Sequence, residues 1–224
     1  MSAKKKPAGV FRYAIGDIHG RSFWKACIRE SYSELYFTGD YFDSFDILFE
    51  DQYRNFIEII EEAKANKRIK MCLGNHDYHY IYGVEGQRYS GYQKRHSSEI
   101  GAIFEENMDL FNIVYTTDDN YIISHAGVTS WFLESIGGEN PEDINRIFKE
   151  DRTILKFNGN NIYGDDITQS PIWVRPKSLK ADHLPGYNQI VGHTPRKNIT
   201  RLPATDGTEL VFIDTLGANS IYRF

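Results

Sequence analysis

Seven side chains of the kinds that bind metal ions occupy similar positions in the sequence. Each lies in a glycine-containing turn after a short apolar run, and they are Asp17, His19, Asp40, Asn75, His76, His125 and His193. Carboxylate, amide and imidazole ligands without thiolates suit manganese, iron or zinc better than calcium. Asp40 has two carboxylate oxygens and could bridge two ions about 3.5–4 Å apart, as in two-metal hydrolases. The pattern predicts a metal centre with hydrolytic chemistry.

The remaining side chains can be divided between the two ions. Asp17 and His19 are two residues apart, so in an extended segment both would face the same ion. Asn75 offers an amide oxygen, and His125 and His193 offer imidazole nitrogens, to the second ion. Each feature alone has an ordinary alternative, because Gly-Asp and Gly-His are common in turns and a lone histidine is more often structural. Five separate strand ends with such side chains favour the metal site.

Short apolar runs predict the elements that position these side chains. Residues 10–15, 35–38, 69–73, 121–124 and 188–191 read as strands, and each leads into one of the turns. Apolar residues at helical spacing between Phe49 and Ala63 predict a helix after the second strand. This alternation predicts a sheet covered by helices, with its ligands at the carboxyl ends of the strands.

The second half of the sequence is less regular. Residues 94–107 predict a helix, and residues 112–117 and 121–124 predict a hairpin that turns at Asp118-Asp119-Asn120. Pro141 begins a predicted helix that ends near residue 156, residues 157–187 are rich in loops, and 210–213 form a last strand that ends at Asp214. We expect a disordered basic tail over residues 1–8 and one domain over 9–224.

Composition excludes several classes of protein. The 224 residues are 41% hydrophobic and 25% charged, as in a globular protein with one sizeable core. A net charge of -5 argues against nucleic acid as the main partner. The two cysteines have neither zinc-like nor redox spacing, and neither a signal sequence nor an apolar run of membrane-spanning length is present. We expect a cytoplasmic protein.

Five motifs together resemble the calcineurin-like metallophosphoesterases, and most closely their phosphoprotein-phosphatase branch, which includes bacterial and phage protein phosphatases and diadenosine tetraphosphate hydrolases. They are Gly16-Asp17-Ile18-His19-Gly20, Gly39-Asp40-Tyr41-Phe42-Asp43, Gly74-Asn75-His76-Asp77, Ser124-His125-Ala126-Gly127 and Gly192-His193-Thr194-Pro195. The motifs span nearly the whole chain. The resemblance implies an α/β (α+β) fold, a β-sandwich of two mixed sheets flanked by helices.

The resemblance also implies roles for individual residues. One metal would be held by Asp17, His19 and Asp40, and the other by Asp40, Asn75, His125 and His193. His76 would be the general acid that protonates the leaving oxygen, with Asp43 as its orienting partner. The cofactor would be two divalent ions, manganese first and iron or zinc as alternatives, that activate water for direct attack on phosphorus.

The sequence departs from the branch after Asp43. The branch usually continues Asp-Arg-Gly there, whereas this chain reads Asp43-Ser44-Phe45 and lacks the phosphate-binding arginine. Arg175, beside Trp173, resembles the other phosphate-binding arginine of the family, and with Asn75 it is the predicted substrate contact. Arg175 could instead pair with a surface carboxylate or cover Trp173.

Several neighbouring residues have weaker assignments. Arg21 and Arg196 adjoin metal motifs and are further candidates for binding phosphate. Asp77 could orient the metal ligands or only stabilise its turn, and Asp214-Thr215 is interpreted as structural. The aromatic cluster after the third motif could stack on a substrate, although packing is the more common role, and it comprises Tyr78, His79, Tyr80 and Tyr82.

These residues predict a phosphomonoesterase that acts on phosphoserine or phosphothreonine in proteins or on small phosphate esters. A phosphoanhydride hydrolase of the diadenosine tetraphosphate type is the alternative enzyme, for which residues 192–196 are a mild indication. The non-enzymatic alternative is a scaffold that retains the fold without activity. We expect a phosphorylated substrate and no membrane partner, and the sequence leaves the oligomeric state open.

Overall fold

The computed structural model describes residues 11–84, 86–159, 163–217 and 220–224. Its strands, in chain order, are β1 (Phe11–Ile15), β2 (Tyr32–Phe37), β3 (Ile69–Cys72), β4 (Phe111–Asn112), β5 (Val114–Thr116), β6 (Tyr121–Ser124), β7 (Asn188–Val191), β8 (Thr200–Pro203), β9 (Glu209–Phe212) and β10 (Ile221–Arg223). The helices are α1 (Lys25–Ile28), α2 (Phe49–Ala65), α3 (Asn75–Tyr78), α4 (Ser97–Glu106), α5 (Ser130–Ser135), α6 (Asp143–Glu150) and α7 (Pro176–Ala181). Short 3-10 helices cover Met108–Leu110 and Arg152–Leu155.

Among the residues that the structure describes, the strands form two mixed sheets of five strands each. The first sheet has the order β10-β1-β2-β3-β4, and the second has the order β5-β6-β7-β9-β8. In the first sheet β1 to β4 are parallel and β10 is antiparallel to β1. In the second sheet β6, β7 and β9 are parallel, and the edge strands β5 and β8 are antiparallel. This arrangement confirms the predicted fold class.

Alternation along the strands builds the sandwich. Tyr36 of β2 and Cys72 of β3 belong to one buried cluster with Ile123 of β6, Ile190 of β7 and Val211 of β9, which joins the two sheets. The neighbouring residues of β2 and β3 point the other way into the main core, because successive strand side chains face opposite sides of a sheet. Each central strand is therefore covered on both faces.

Helix α2 covers the outer face of the first sheet. Its buried residues Phe56, Ile59, Ile60 and Ala63 recur at the spacing of one helical face, and Glu50 and Asp51 of its first turn suit the helix dipole. The helix follows the loop that carries Asp40 and Asp43, so its packing fixes where that loop leaves the sheet.

The elements agree with the sequence predictions in type more than in extent. The predicted helix 94–107 begins only at Ser97, and the predicted helix from Pro141 to about 156 is divided into α6 and a 3-10 helix. The predicted strand 112–117 is divided as well, because β4 pairs with the first sheet and β5 with the second. The hairpin of β5 and β6 is confirmed.

Other predictions concern regions and properties of the whole chain. The basic tail over residues 1–8 lies outside the described residues, and the single domain over 9–224 stays a prediction, as does the cytoplasmic location. Within the described ranges, none of the helices has the length and apolar character needed to cross a bilayer. Cys27 and Cys72 are both free and buried.

Candidate metal centre and active site

Five parallel strands deliver the predicted ligands to one edge of the sandwich. Asp17, Asp40 and Asn75 follow β1, β2 and β3 of the first sheet, while His125 and His193 follow β6 and β7 of the second. The two sheets contribute to one site because the carboxyl ends of these strands meet there. All five side chains are buried.

The turns that carry these residues adopt unusual backbone conformations. His19, Asp40, Asp43 and His193 all have positive φ, at 41°, 56°, 66° and 64°. Such conformations cost on the order of 1–3 kcal/mol each and persist only where surrounding contacts fix them. The prediction that Asp17 and His19 lie in an extended segment is therefore wrong, because His19 is left-handed.

The Asp77 carboxylate provides much of that fixation. It accepts hydrogen bonds from the backbone N–H groups of Gly74, Asp40 and Tyr41, each at 2.8 Å. Asp77 therefore joins the loop after β3 to the loop after β2, which is the turn-stabilising role. His19 N–H adds a bond of 2.7 Å to the carbonyl of Asp40.

Two glycines allow these loops to approach closely. A Cβ atom on Gly74 would lie 2.0 Å from Oδ1 of Asp40, and one on Gly192 would lie 2.1 Å from Oδ1 of Asp17. Neither distance is compatible with a side chain, so both positions require glycine.

His125 shows why a cation fits this site. Its Nδ1 lies 3.0 Å from the carbonyl of Thr38 and must donate to it, and burial lowers the pKa of the ring well below the usual range. Nε2 is therefore an unprotonated acceptor. It nevertheless lies 2.8 Å from Oδ1 of Asn75 and 3.4 Å from Oδ2 of Asp40, which are acceptors as well. A cation bound by these lone pairs would resolve their repulsion.

The ring of His19 is oriented, like that of His125, by a hydrogen bond from Nδ1 to a backbone carbonyl. Its Nδ1 donates to the carbonyl of Phe42 at 2.6 Å, which leaves Nε2 facing Oδ2 of Asp40 at 3.8 Å. Burial, with a smaller contribution from the nearby His76, lowers the pKa of His19 to about 4. Oδ2 of Asp40 is thus approached by two imidazole nitrogens, one from His19 and one from His125.

The remaining ligands of the site, His193 and His125, lie close to Asn75. Its Oδ1 lies 2.9 Å from Nδ1 of His193, and that nitrogen lies 3.1 Å from Nε2 of His125. Asp17 receives the backbone N–H of His193 at 3.0 Å, so the two sheets are also linked by a hydrogen bond at this point.

The carboxylates have strongly perturbed acidity. Burial raises the pKa of Asp17 and of Asp40 well above the usual range, and the charge of Asp214 on Asp17 and of Asp17 on Asp40 acts in the same direction. Buried carboxyl groups of this kind ionise readily only beside positive charge. The donor set, with Asp17, Asp40 and His125 as a cluster able to hold an ion, fits divalent cations.

His76 and Asp43 form a dyad beside this cluster. Nδ1 of His76 lies 2.9 Å from Oδ2 of Asp43, the residue that the resemblance gave as its orienting partner. Two further groups contact the same carboxylate, since Nε2 of His79 lies 2.7 Å from Oδ2 and the hydroxyl of Tyr80 donates to Oδ1 at 2.5 Å. Burial raises the pKa of Asp43, but the contacts with His76 and His79 outweigh it and lower the pKa to about 2.

Comparison with known proteins places the chain in a family. The model of the calcineurin-like phosphoesterases matches residues 13–212. The chain belongs to this family. It is therefore a metal-dependent hydrolase of phosphoric ester bonds. The comparison with curated proteins finds no match.

Solved structures with the same fold include two phosphatases. A cold-active protein-tyrosine phosphatase from a psychrophilic Shewanella species has a TM-score of 0.58 and 15% identity, over 92% of this chain and 71% of that one. A serine/threonine protein phosphatase from Saccharomyces cerevisiae has a TM-score of 0.56 and 14% identity, over 92% of this chain and 68% of that one. Both share the fold of this chain.

A cavity of 440 Å³ opens beside the candidate centre of this calcineurin-like phosphoesterase. Asp17, His19, Asp40, Asn75 and His193 line it, while His125 is fully buried behind them. A cavity of this size accommodates a phosphate ester and part of its leaving group.

The three candidate arginines have different surroundings. Arg175 lines the cavity and donates to the Thr194 hydroxyl at 3.3 Å. Arg21 lines it too, but its guanidinium also pairs with Asp46 at 2.9 Å. The guanidinium of Arg196 lies over the ring of Phe212, 5.1 Å from its centroid. Arg196 therefore has a packing contact, in contrast to the phosphate contact predicted as a further possibility from the sequence.

The aromatic cluster after the third motif is mostly interior. Tyr78 donates to the carbonyl of Arg152 at 2.8 Å, His79 and Tyr80 contact Asp43, and only Tyr82 is substantially exposed. Stacking on a substrate is therefore not the role of the three buried members.

Sequence reasoning missed two features of the site. His76 and His79 are three residues apart on the single turn of α3 and its end, a spacing that brings side chains together, yet the segment was interpreted only as a turn. Asp214, interpreted as structural, lines the cavity and is fully buried. Its position directly after the predicted last strand was the signal that could have placed it at the site.

Proposed function

We propose that the chain is a phosphomonoesterase with a dinuclear metal centre. The observation that supports this most strongly is the convergence of two imidazole nitrogens on Oδ2 of Asp40, with Nε2 of His19 at 3.8 Å and Nε2 of His125 at 3.4 Å. A carboxylate contacted by two such nitrogens suits a ligand shared by two ions. The substrate class is a phosphate monoester, namely phosphoserine or phosphothreonine in proteins or a small phosphate ester.

The residues divide between the two ions as follows. Asp17, His19 and Asp40 would hold one, and Asp40, Asn75, His125 and His193 the other. Mixed oxygen and nitrogen ligands favour manganese, with iron and zinc as alternatives. When bound, two such ions lower the pKa of water and offset charge on the phosphoryl oxygens, so direct attack on phosphorus needs no covalent enzyme intermediate.

The chain's own residues supply the proton for the leaving group. His76 lines the cavity, and its Nδ1 is held by Asp43 at 2.9 Å, which leaves Nε2 for the leaving oxygen. An imidazole held by a carboxylate is correctly oriented to deliver its proton.

Arg175 is the proposed phosphate contact, together with Asn75. Its side chain lines the same cavity as His193 and Asn75. Burial lowers the pKa of its guanidinium, and the charges of Asp17 and Asp40 oppose that effect, so the positive group lies within electrostatic reach of the cluster. A guanidinium can bind two phosphate oxygens at once.

Substrate preference requires a direct comparison. Because the Shewanella neighbour is named as a protein-tyrosine phosphatase, phosphotyrosine is added to the substrates to be compared. The phosphoanhydride alternative gains no support from Arg196, whose guanidinium lies over Phe212.

The test uses the purified chain with manganese. Turnover of phosphopeptides, nitrophenyl phosphate and diadenosine tetraphosphate is measured with and without a chelator, and in His76→Asn. We expect the highest turnover on monoesters, its loss with chelator, and a large decrease in the variant. Preference for the anhydride would support the alternative enzyme, and absence of turnover on every substrate would support the scaffold.

A further inference from the structure

A large apolar side chain stands at the mouth of the charged cavity. Phe45 lines the cavity and is 82% exposed. Leu216 is a second apolar residue of the lining and is 45% exposed. Apolar surface in water is unfavourable, and an exposed apolar patch at the edge of a binding site is typical of a ligand contact.

The segment around Phe45 is held in place on both sides. Ser44 N–H donates to Oε1 of Gln52 at 3.1 Å, and the Ser44 hydroxyl donates to Asp46 at 2.6 Å. Asp46 in turn pairs with Arg21 at 2.9 Å. The position of the Phe45 backbone is therefore determined by the loop, and its ring is presented to solvent from a fixed base.

This loop lines the same cavity as the proposed acid His76. Phe45 follows by two residues Asp43, which holds the proposed acid His76 at 2.9 Å. A proton donor must lie next to the leaving oxygen, so the leaving group occupies the cavity whose lining His76 and Phe45 share. Phe45 is the most exposed large apolar side chain of that lining.

We propose that Phe45 determines specificity by stacking on an aromatic leaving group. The substrate class is an aryl phosphate monoester, with phosphotyrosine in a peptide as its protein form. This inference rests on the proposed phosphomonoesterase function. In an aryl phosphate the ester oxygen is bonded directly to the ring, and the far edge of the ring lies several bonds from it, so the ring can reach the mouth of the cavity while the phosphate lies at the metal edge. A serine side chain offers only one methylene group for the same contact.

The kinetic test compares one peptide sequence carrying phosphotyrosine or phosphoserine. In Phe45→Ala the ratio of kcat/KM for phosphotyrosine over phosphoserine should fall about two- to tenfold, the range that aromatic pairs contribute. Leu48→Ala is the matched control, because Leu48 is also largely exposed, three residues further on, and does not line the cavity. An unchanged ratio in Phe45→Ala, or an equal change in Leu48→Ala, would overturn the proposal.

A binding measurement separates this inference from the proposed catalysis. Titration calorimetry on the manganese-loaded protein compares benzylphosphonate with methylphosphonate, neither of which is hydrolysed. We expect tighter binding of benzylphosphonate, and the preference should shrink in Phe45→Ala but not in Leu48→Ala. Equal affinity for both ligands in the unmodified protein would overturn the Phe45 proposal even where turnover proceeds. A benzyl preference without turnover of any ester would instead overturn the phosphomonoesterase function and support the Phe45 contact.

Discussion

Asp43→Asn tests the proposed acid most sharply. The substitution keeps the size of the side chain and removes the charge that holds Nδ1 of His76 at 2.9 Å. General acid catalysis contributes about 10²–10⁴-fold to a rate, and the contribution is needed most where the leaving oxygen is strongly basic. We therefore expect kcat for a phosphoserine peptide to fall by about that factor. The loss for nitrophenyl phosphate, whose leaving group departs without a proton, should be much smaller.

The structure also gives the effect of this variant on stability. The pKa of Asp43 falls from 3.8 to about 2 in the folded protein. At 1.36 kcal/mol per unit this corresponds to about 2 kcal/mol of stability. Because the folded pKa is depressed, that stability is present above about pH 4 and is lost as the pH falls through 2. The asparagine NH₂ group would replace one of the two oxygens and face a donor there, Tyr80 at the Oδ1 position or His76 and His79 at the Oδ2 position, which adds a penalty of about 1–3 kcal/mol at neutral pH.

Two assays separate catalysis from stability in this variant. Urea denaturation at pH 7 and pH 3 measures the stability, and steady-state kinetics at pH 7 on both substrates measures the leaving-group dependence. Asp46→Asn is the matched control, since Asp46 lines the same cavity but pairs with Arg21. Equal factors of loss on the two substrates would refute the acid role of the dyad, as would the same selectivity in Asp46→Asn.

Other substitutions test the metal edge and the phosphate contact. Gly74→Ala places a Cβ 2.0 Å from Oδ1 of Asp40 and should weaken manganese binding and lower the unfolding temperature, whereas Gly159→Ala, with open space around its Cβ, should do neither. Calorimetric titration measures the affinity for manganese, and an unchanged affinity in Gly74→Ala would contradict the geometry. Arg175→Lys keeps the positive charge but loses the bidentate contact with phosphate, so KM for phosphate esters should rise by about tenfold, which corresponds to about 1.4 kcal/mol of binding free energy. An unchanged KM in steady-state kinetics would argue against phosphate binding by Arg175.

The edge of the sheets that carries the ligands could be predicted because strands and the turns that follow them are specified by short, local stretches of sequence. A short apolar run followed by glycine and a polar residue is legible in sequence, and in parallel strands it also specifies the edge at which the side chain lies. That reasoning predicted the positions of Asp40, Asn75 and His193 after β2, β3 and β7.

What the sequence could not supply depends on long-range contacts. The positive φ of Asp40 and His19 is held by hydrogen bonds between loops about twenty residues apart in sequence. The residue types alone do not predict this backbone conformation. β10 at the end of the chain is recognisable only by its pairing with β1. The contact of His79 with Asp43 required knowing that α3 is helical, since a turn would direct that ring elsewhere.

The most direct test of the dinuclear centre is a crystal structure of the manganese-loaded protein with anomalous diffraction at the manganese edge. The account predicts two anomalous peaks about 3.5–4 Å apart, one on each side of the Asp40 carboxylate. The first should lie beside Asp17 and His19, and the second beside Asn75, His125 and His193. A single peak, or peaks that do not contact Asp40, would contradict it.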